Sequence, residues 1–303
     1  MRSLMNQSIK IILQTVALQF GTEEAKLEAQ LLLQHILGVN RAWLIAHEND
    51  TLQPNTHAEF EALLTRRLQG EPIAYILGHR EFYGLDLMVT ADTLIPRPDT
   101  EVLVQAALGK VEALTATFSR LPEREGLTST SILDLGTGSG AIALAIAKNR
   151  PQASVTAVDA SKAALDIAKK NAQNLNIANV QFVLSNWFAA LENIKFDIIV
   201  SNPPYIEQND AHLSQGDLRF EPISALASGV DGLDDIRQII DNCLVYLKPQ
   251  GWLMLEHGYN QAEWVADLMA EVGLTNIETM QDLGGNSRVT IGKNPLIVSR
   301  HWD

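Results

Sequence analysis

Phe196-Asp197-Ile198-Ile199-Val200-Ser201-Asn202-Pro203-Pro204-Tyr205 is a short apolar run closed by a polar, proline-rich and aromatic tail. The first six residues read as a buried strand. Two consecutive prolines lack the N–H groups a sheet requires. The strand therefore stops there, and Asn202, the Pro203 carbonyl and the Tyr205 ring all leave from its carboxyl end. Open α/β sheets bind their ligands at that edge. The Asn202 carboxamide oxygen and the Pro203 carbonyl are two acceptors suited to both hydrogens of a planar NH2 group. Pro204 stiffens the turn, and the Tyr205 ring can pack on the flat group that carries the nitrogen. The implied substrate is an amide or an exocyclic amine. Taken alone, the four residues also admit a plain strand-terminating turn.

Working outward, Ile132-Leu133-Asp134-Leu135-Gly136-Thr137-Gly138-Ser139-Gly140 runs from a strand through a glycine-rich turn into the helix Ala141-Ile142-Ala143-Leu144-Ala145-Ile146-Ala147. A nucleotide-type cofactor site begins this way, and Asp159, ending the next apolar strand, sits where a ribose-binding acid is required. Gly136, Gly138 and Ala141 also satisfy the dinucleotide pattern, which admits an NAD-dependent dehydrogenase. Two features oppose that reading. Asp134 would face a pyrophosphate unfavourably but suits a cofactor with an amino acid group and a sulfonium, and Asn202–Tyr205 offers nothing for hydride transfer.

On these residues the chain resembles the release-factor glutamine methyltransferase family, the HemK-like class I S-adenosylmethionine enzymes. The segments that match in order are Glu71-Pro72-Ile73-Ala74-Tyr75-Ile76-Leu77-Gly78, Leu94-Ile95-Pro96-Arg97-Pro98-Asp99-Thr100-Glu101, the glycine loop, Asn202-Pro203-Pro204-Tyr205 and Ala225-Leu226-Ala227-Ser228-Gly229-Val230-Asp231-Gly232-Leu233. The resemblance spans nearly the whole chain. It implies S-adenosyl-L-methionine bound by Gly136, Thr137, Gly138, Ser139, Gly140, Asp159, Trp187 and Asn202. It also implies a substrate glutamine, in the Gly-Gly-Gln loop of peptide chain release factors, held by Asn202, Pro203, Pro204 and Tyr205. Asn202, Pro203 and Tyr205 are the expected catalytic set. At Asn186 the family often has Asp, a departure that touches only one contact near an adenine edge. Trp187 by itself is equally readable as a core aromatic.

Charge bears on the partner. The net charge is −13; residues 1–80 carry 7 Lys+Arg against 8 Asp+Glu, so the remainder holds −12. A nucleic-acid methyltransferase gains affinity from a basic face, and no basic run is present, so no direct nucleic-acid substrate is expected. Acidity suits a basic protein partner. The 46% hydrophobic content supports real cores, and the single cysteine, Cys243, allows no intramolecular disulfide. A cytoplasmic enzyme is the expectation: the N-terminus reads as an amphipathic helix (Ile9, Ile12, Leu13, Val16, Ala17, Phe20), and no apolar run approaches a membrane span. The seven histidines show no metal-ligand spacing, so no metal site is predicted. No Gly-x-Ser-x-Gly element supports a serine hydrolase.

Periodicity supplies the organisation. Helical spacing over 6–20, 23–38, 40–47 and 55–69, with Thr22 as a cap, predicts a helical substrate-recognition domain over 1–78. Residues 79–92 contain a predicted β-hairpin linker, 99–108 a helix and 115–130 a polar surface connection. Over 93–303 the alternation of strands and helices reads as an α/β doubly wound sheet, and the resemblance implies that it is the seven-stranded sheet of an S-adenosylmethionine-dependent class I methyltransferase domain, with a reversed last strand. Its strands fall near 131–135, 153–158, 180–184, 196–201, 251–256, 275–280 and 287–292, with the short last connection making the final strand reversed. Glu256, ending a strand before Gly258, could face the site but reads first as a sheet-edge carboxylate without a catalytic role, and Arg97 reads as either closing the site or bracing a loop. The residues leave two further hypotheses in view: an N6-adenine methyltransferase, which would need base flipping and a basic groove, and a non-catalytic protein that binds a release factor or ribosome.

Overall fold

A computed structural model describes residues 7–20, 23–118, 129–192 and 194–295. The chain divides into two compact units, residues 1–78 and 79–303. In the first, α1 (Ile9–Phe20), α2 (Glu23–Leu37), α3 (Arg41–Ala46), α4 (Pro54–Leu68) and α5 (Ile73–Leu77) form because apolar side chains recur every three or four residues. Their inward faces meet as a core of Ile12, Val16, Leu32, Leu33, Phe60 and Leu64. The Asn40 side chain caps α3 by accepting from Trp43 N at 2.9 Å, and Pro54 opens α4, where a missing N–H costs nothing. The expected cap Thr22 lies outside the described residues.

The second unit opens with the hairpin β1 (His79–Phe82) and β2 (Leu85–Met88), turned by Tyr83 and Gly84 at φ 50° and 75°. Positive φ at both central residues is the turn whose twist matches paired strands. The hairpin belongs with the following unit: buried Asn171 accepts from Met88 N at 2.7 Å and donates to Met88 O at 3.0 Å. Next comes α6 (Glu101–Phe118), longer than the expected 99–108, because Val111 and Leu114 extend its packed face beyond Leu108. Residues 115–118 of the expected connection are thus helical, and 119–128 lie outside the described residues.

The sheet strands are β3 (Ser131–Leu135), β4 (Ser154–Asp159), β5 (Val180–Leu184), β6 (Phe196–Ser201), β7 (Leu247–Glu256), β8 (Thr275–Gln281) and β9 (Ser287–Lys293), in spatial order β5-β4-β3-β6-β7-β9-β8. β3 through β7 pair in parallel, and β9 runs antiparallel to both β7 and β8. β7 starts before the expected residue 251. Pro249 cannot donate to a ladder, but a register shift and Gln250 at φ 69° let the strand pass it. Period-two alternation sends Ile132, Ile198 and Val200 to one face, with α6 and α7 (Ala141–Asn149). Leu133, Leu135, Ile199 and Leu255 go to the other, with α9 (Asp234–Tyr246) and α10 (Ala262–Glu271); Cys243 on α9 is fully buried. The remaining helix, α8 (Lys162–Asn174), follows β4. Among the described residues no helix is long and apolar enough to cross a membrane.

Candidate active site

β3 lies between β4 and β6, so the connections leaving β3 and β6 diverge and open a crevice at their carboxyl ends. The glycine loop after β3 is folded back on β4: Gly136 N and Thr137 N both donate to Val158 O at 2.9 Å. Asp159, at the end of β4, accepts from Gly138 N and from Ser161 N, each at 2.8 Å. Burial pushes its pKa up, against these backbone bonds. Each carboxylate oxygen keeps a further lone pair, so the residue anchors the loop and can still accept from a ligand. Gly136 is required by close approach, since a Cβ there would lie 3.3 Å from the Trp187 ring, and its φ is 73°. Trp187 itself stands at φ 46°, its Nε1 donating to Asp235 Oδ1 at 3.2 Å. A bulky residue in that conformation is held by its surroundings, here with the ring between the core and the crevice.

Gly136, Gly138, Asp159, Asn186, Trp187, Asn202 and Pro204 line one cavity of about 360 Å³. Thr137 and Ser139 line a second of about 50 Å³, together with Thr100 and Asn202. Tyr205 lines a third of about 70 Å³, again with Asn202 and with Arg97. Asn202 therefore borders all three. Two expected site residues line none of these cavities. Gly140 sits against α8, where a Cβ would come within 3.2 Å of Ala168 Cβ, and the Pro203 ring is buried in the turn.

Behind these walls lie Asn171 and Thr100, to which the sequence reading gave no role, and Asp134, which was expected to face the cofactor but lines none of these cavities. Asn171 also donates to Ser139 O at 2.9 Å, joining the hairpin to the glycine loop through one side chain. Asp134 is fully buried: its Oδ2 accepts from Thr137 Oγ1 at 2.7 Å and Ala143 N at 3.2 Å, its Oδ1 has no partner, and burial pushes its pKa up to about 7. Asn202 Nδ2 donates to Thr100 Oγ1 at 3.2 Å, and the Tyr205 hydroxyl donates to Glu256 Oε1 at 3.3 Å. Burial pushes Glu256 up to about 7, opposed by the Thr100 hydroxyl, Arg288 and Tyr205. Burial and the Glu256 charge raise the Tyr205 phenol as well. Arg97 pairs with buried Glu221, whose Oε2 also accepts from Ile95 N at 3.0 Å, so Arg97 braces its loop while lining the smaller cavity. Among the described residues no group of three His, Cys, Asp or Glu is placed to hold a metal.

The methyltransferase small domain matches residues 111–218 and the PrmC N-terminal domain residues 16–78. The release factor glutamine methyltransferase of Xylella fastidiosa is 48% identical over 89% of this chain and 94% of its own. Those of Vibrio cholerae and Escherichia coli are 46% and 45% identical, over 91% and 90% of this chain and 92% and 94% of theirs. The chain belongs to the release factor glutamine methyltransferase family. As a member of that family it carries a class I methyltransferase domain. The hMettl16 catalytic domain, solved in complex with a 3'UTR hairpin, shares the fold with a TM-score of 0.53 at 17% identity, over 82% of this chain and 83% of that one.

Proposed function

We propose that this chain methylates the side-chain amide nitrogen of the glutamine in the Gly-Gly-Gln loop of peptide chain release factors, in the cytoplasm, with S-adenosyl-L-methionine as donor. The observation that carries the reading is the position of Asn202 on the wall common to the large crevice and the small cavity beside Tyr205. A cofactor in the first and a side-chain amide in the second would meet at this residue. The crevice fits the cofactor chemically: the Trp187 ring, packed closely on Gly136, offers an aromatic wall for a flat group, and Asp159 retains acceptor capacity for ribose hydroxyls. Gly136–Ser139, Asp159, Trp187 and Asn202 would hold it. Bound there, S-adenosylmethionine supplies a methyl group made electrophilic by its sulfonium.

The residues then have definite tasks. A glutamine amide nitrogen is a poor nucleophile, because its lone pair is delocalised into the carbonyl. Asn202 Oδ1 and the Pro203 carbonyl accept its two N–H bonds, which raises electron density on nitrogen and fixes its direction. Tyr205 packs on the amide plane, and Pro204 holds the turn rigid. Alignment of this kind supplies roughly 7 to 11 kcal/mol in well-oriented systems, enough to make positioning the main device. The proton leaves after transfer, when the nitrogen is far more acidic, so no strong base is required beforehand. Residues 1–78 recognise the folded release factor. The relatives' names and the acidic second unit favour this reading over adenine methylation.

Asn202→Ala tests the assignment. Turnover on a release factor should fall about 100-fold or more, as for loss of a transition-state hydrogen bond, while S-adenosylmethionine still binds measurably. Activity within a few-fold of the unaltered enzyme would sink the amine clamp.

A further inference from the structure

The two ends of the Asn202 carboxamide have nearly the same shape, and only one of them can receive an NH2 group. Turned the other way, its own NH2 would meet that of the substrate, donor against donor. What decides the direction lies behind the side chain. Asn202 Nδ2 donates to Thr100 Oγ1 at 3.2 Å. Thr100 is 4% exposed, and its hydroxyl has a single hydrogen that must go elsewhere if the oxygen is to accept. The Glu256 carboxyl, 1% exposed, is the acceptor beside it. Its Oε1 takes the Tyr205 hydroxyl at 3.3 Å, and its Oε2 is buried without a hydrogen-bond partner. A buried carboxylate oxygen lacking a donor draws the freely rotating Thr100 hydrogen toward it.

This argument rests on the assignment of Asn202 as the amide clamp. We infer that Glu256 and Thr100 are positioning residues acting through Asn202: the carboxylate takes the Thr100 hydrogen, Thr100 accepts from Asn202 Nδ2, and Oδ1 is left facing the substrate amide. The relay has a second state. A proton on Glu256 goes to Oε2, since Oε1 is engaged by Tyr205. Glu256 then donates to Thr100, Thr100 donates to Asn202, and the carboxamide turns its NH2 toward the substrate. The groups around Glu256 pull both ways. Arg288 on β9, the Thr100 hydroxyl and Tyr205 favour the ionised form, and burial and Asp99 oppose it, with the balance at about 7. The working state of the clamp is therefore the ionised one.

The test uses the whole enzyme, an intact release factor and saturating S-adenosylmethionine. Thr100→Val should lower kcat roughly tenfold or more, leave the cofactor Kd within about twofold, and be restored to within a few-fold by Thr100→Ser. In the Asn202→Ala background Thr100→Val should cost nothing further, because the relay has lost what it acts on. The kcat of the unaltered enzyme should rise with pH through about 7. That rise should vanish in Thr100→Val and in Glu256→Gln. Glu256→Gln should also lower kcat, because its amide nitrogen, displaced from the Tyr205 hydroxyl, donates to Thr100 and reverses the relay. A titration of Asp134 would instead survive in Thr100→Val, which separates the two carboxyls. Should Thr100→Val fail to fold, Glu256→Gln alone carries the same pH test. Unchanged kcat in Thr100→Val with an inactive Asn202→Ala overturns the relay and leaves the proposed function intact. An active Asn202→Ala overturns the assignment of Asn202 as the amide clamp, on which the relay rests.

Discussion

At the scale of single residues, Glu256 combines a functional position with a cost in stability. Burial raises its folded-state pKa from 4.5 to about 7. The folded protein then holds that proton more tightly than the unfolded chain does. The stabilisation is fully present below the unfolded value, near pH 4.5, and is lost as pH rises through about 7. A shift of that size corresponds to at most about 3 to 4 kcal/mol. Glu256→Gln has the shape of the protonated acid without its titration. Its melting temperature should exceed that of the unaltered enzyme at pH 8, with the difference closing toward pH 4.5, while methylation falls. Parallel melting curves across that range would mean that the carboxyl is not strained by burial. The sequence placed Glu256 at a strand end that could face the site but could not show its surroundings, because Thr100 comes from a distant turn and Tyr205 from the end of a different strand.

At the scale of elements, the strands and most helices were legible because hydrophobic periods of two and of three to four are local properties, and so were the stops made by Pro203 and Pro204. The glycine loop and the carboxyl ends of β4 and β6 could be read for the same reason. Three features escaped. The length of α6 depends on the core it meets, and the start of β7 on a bulge that passes Pro249. The third is Asn171, a polar residue inside α8 that reads as an ordinary helix position yet joins the hairpin to the glycine loop through Met88 and Ser139. Asn171→Ala would leave Met88 N, Met88 O and Ser139 O without this partner. Stability should drop by about 2 to 4 kcal/mol, from lost bonds and newly unpaired groups. S-adenosylmethionine affinity should drop with it, since the loop shares the anchor. Denaturant melts and calorimetry on the same preparation check both. A destabilised variant with unaltered cofactor affinity would show that Val158 O, Asp134 and Asp159 hold the loop without Asn171.

At the scale of the whole molecule, the near-neutral residues 1–80 and the strongly acidic remainder offer different surfaces to a partner. A glutamine on an extended loop gives an active site few contacts, so selectivity should come from surface outside that loop, through raised effective concentration. A short Gly-Gly-Gln peptide should accordingly have a kcat/KM at least tenfold below that of an intact release factor. Equal values would remove recognition from residues 1–78. The central claim is narrower, that the methyl group goes to one glutamine nitrogen on a protein. The direct measurement is to incubate the intact enzyme with S-adenosylmethionine carrying a labelled methyl group and, in separate reactions, a release factor, the same factor with its Gly-Gly-Gln glutamine replaced, and DNA and RNA. Peptide mass spectrometry then locates the label. The account predicts label on the side-chain nitrogen of that glutamine, and background levels in every other reaction. Label in nucleic acid, or undiminished label in the factor lacking the glutamine, would contradict it.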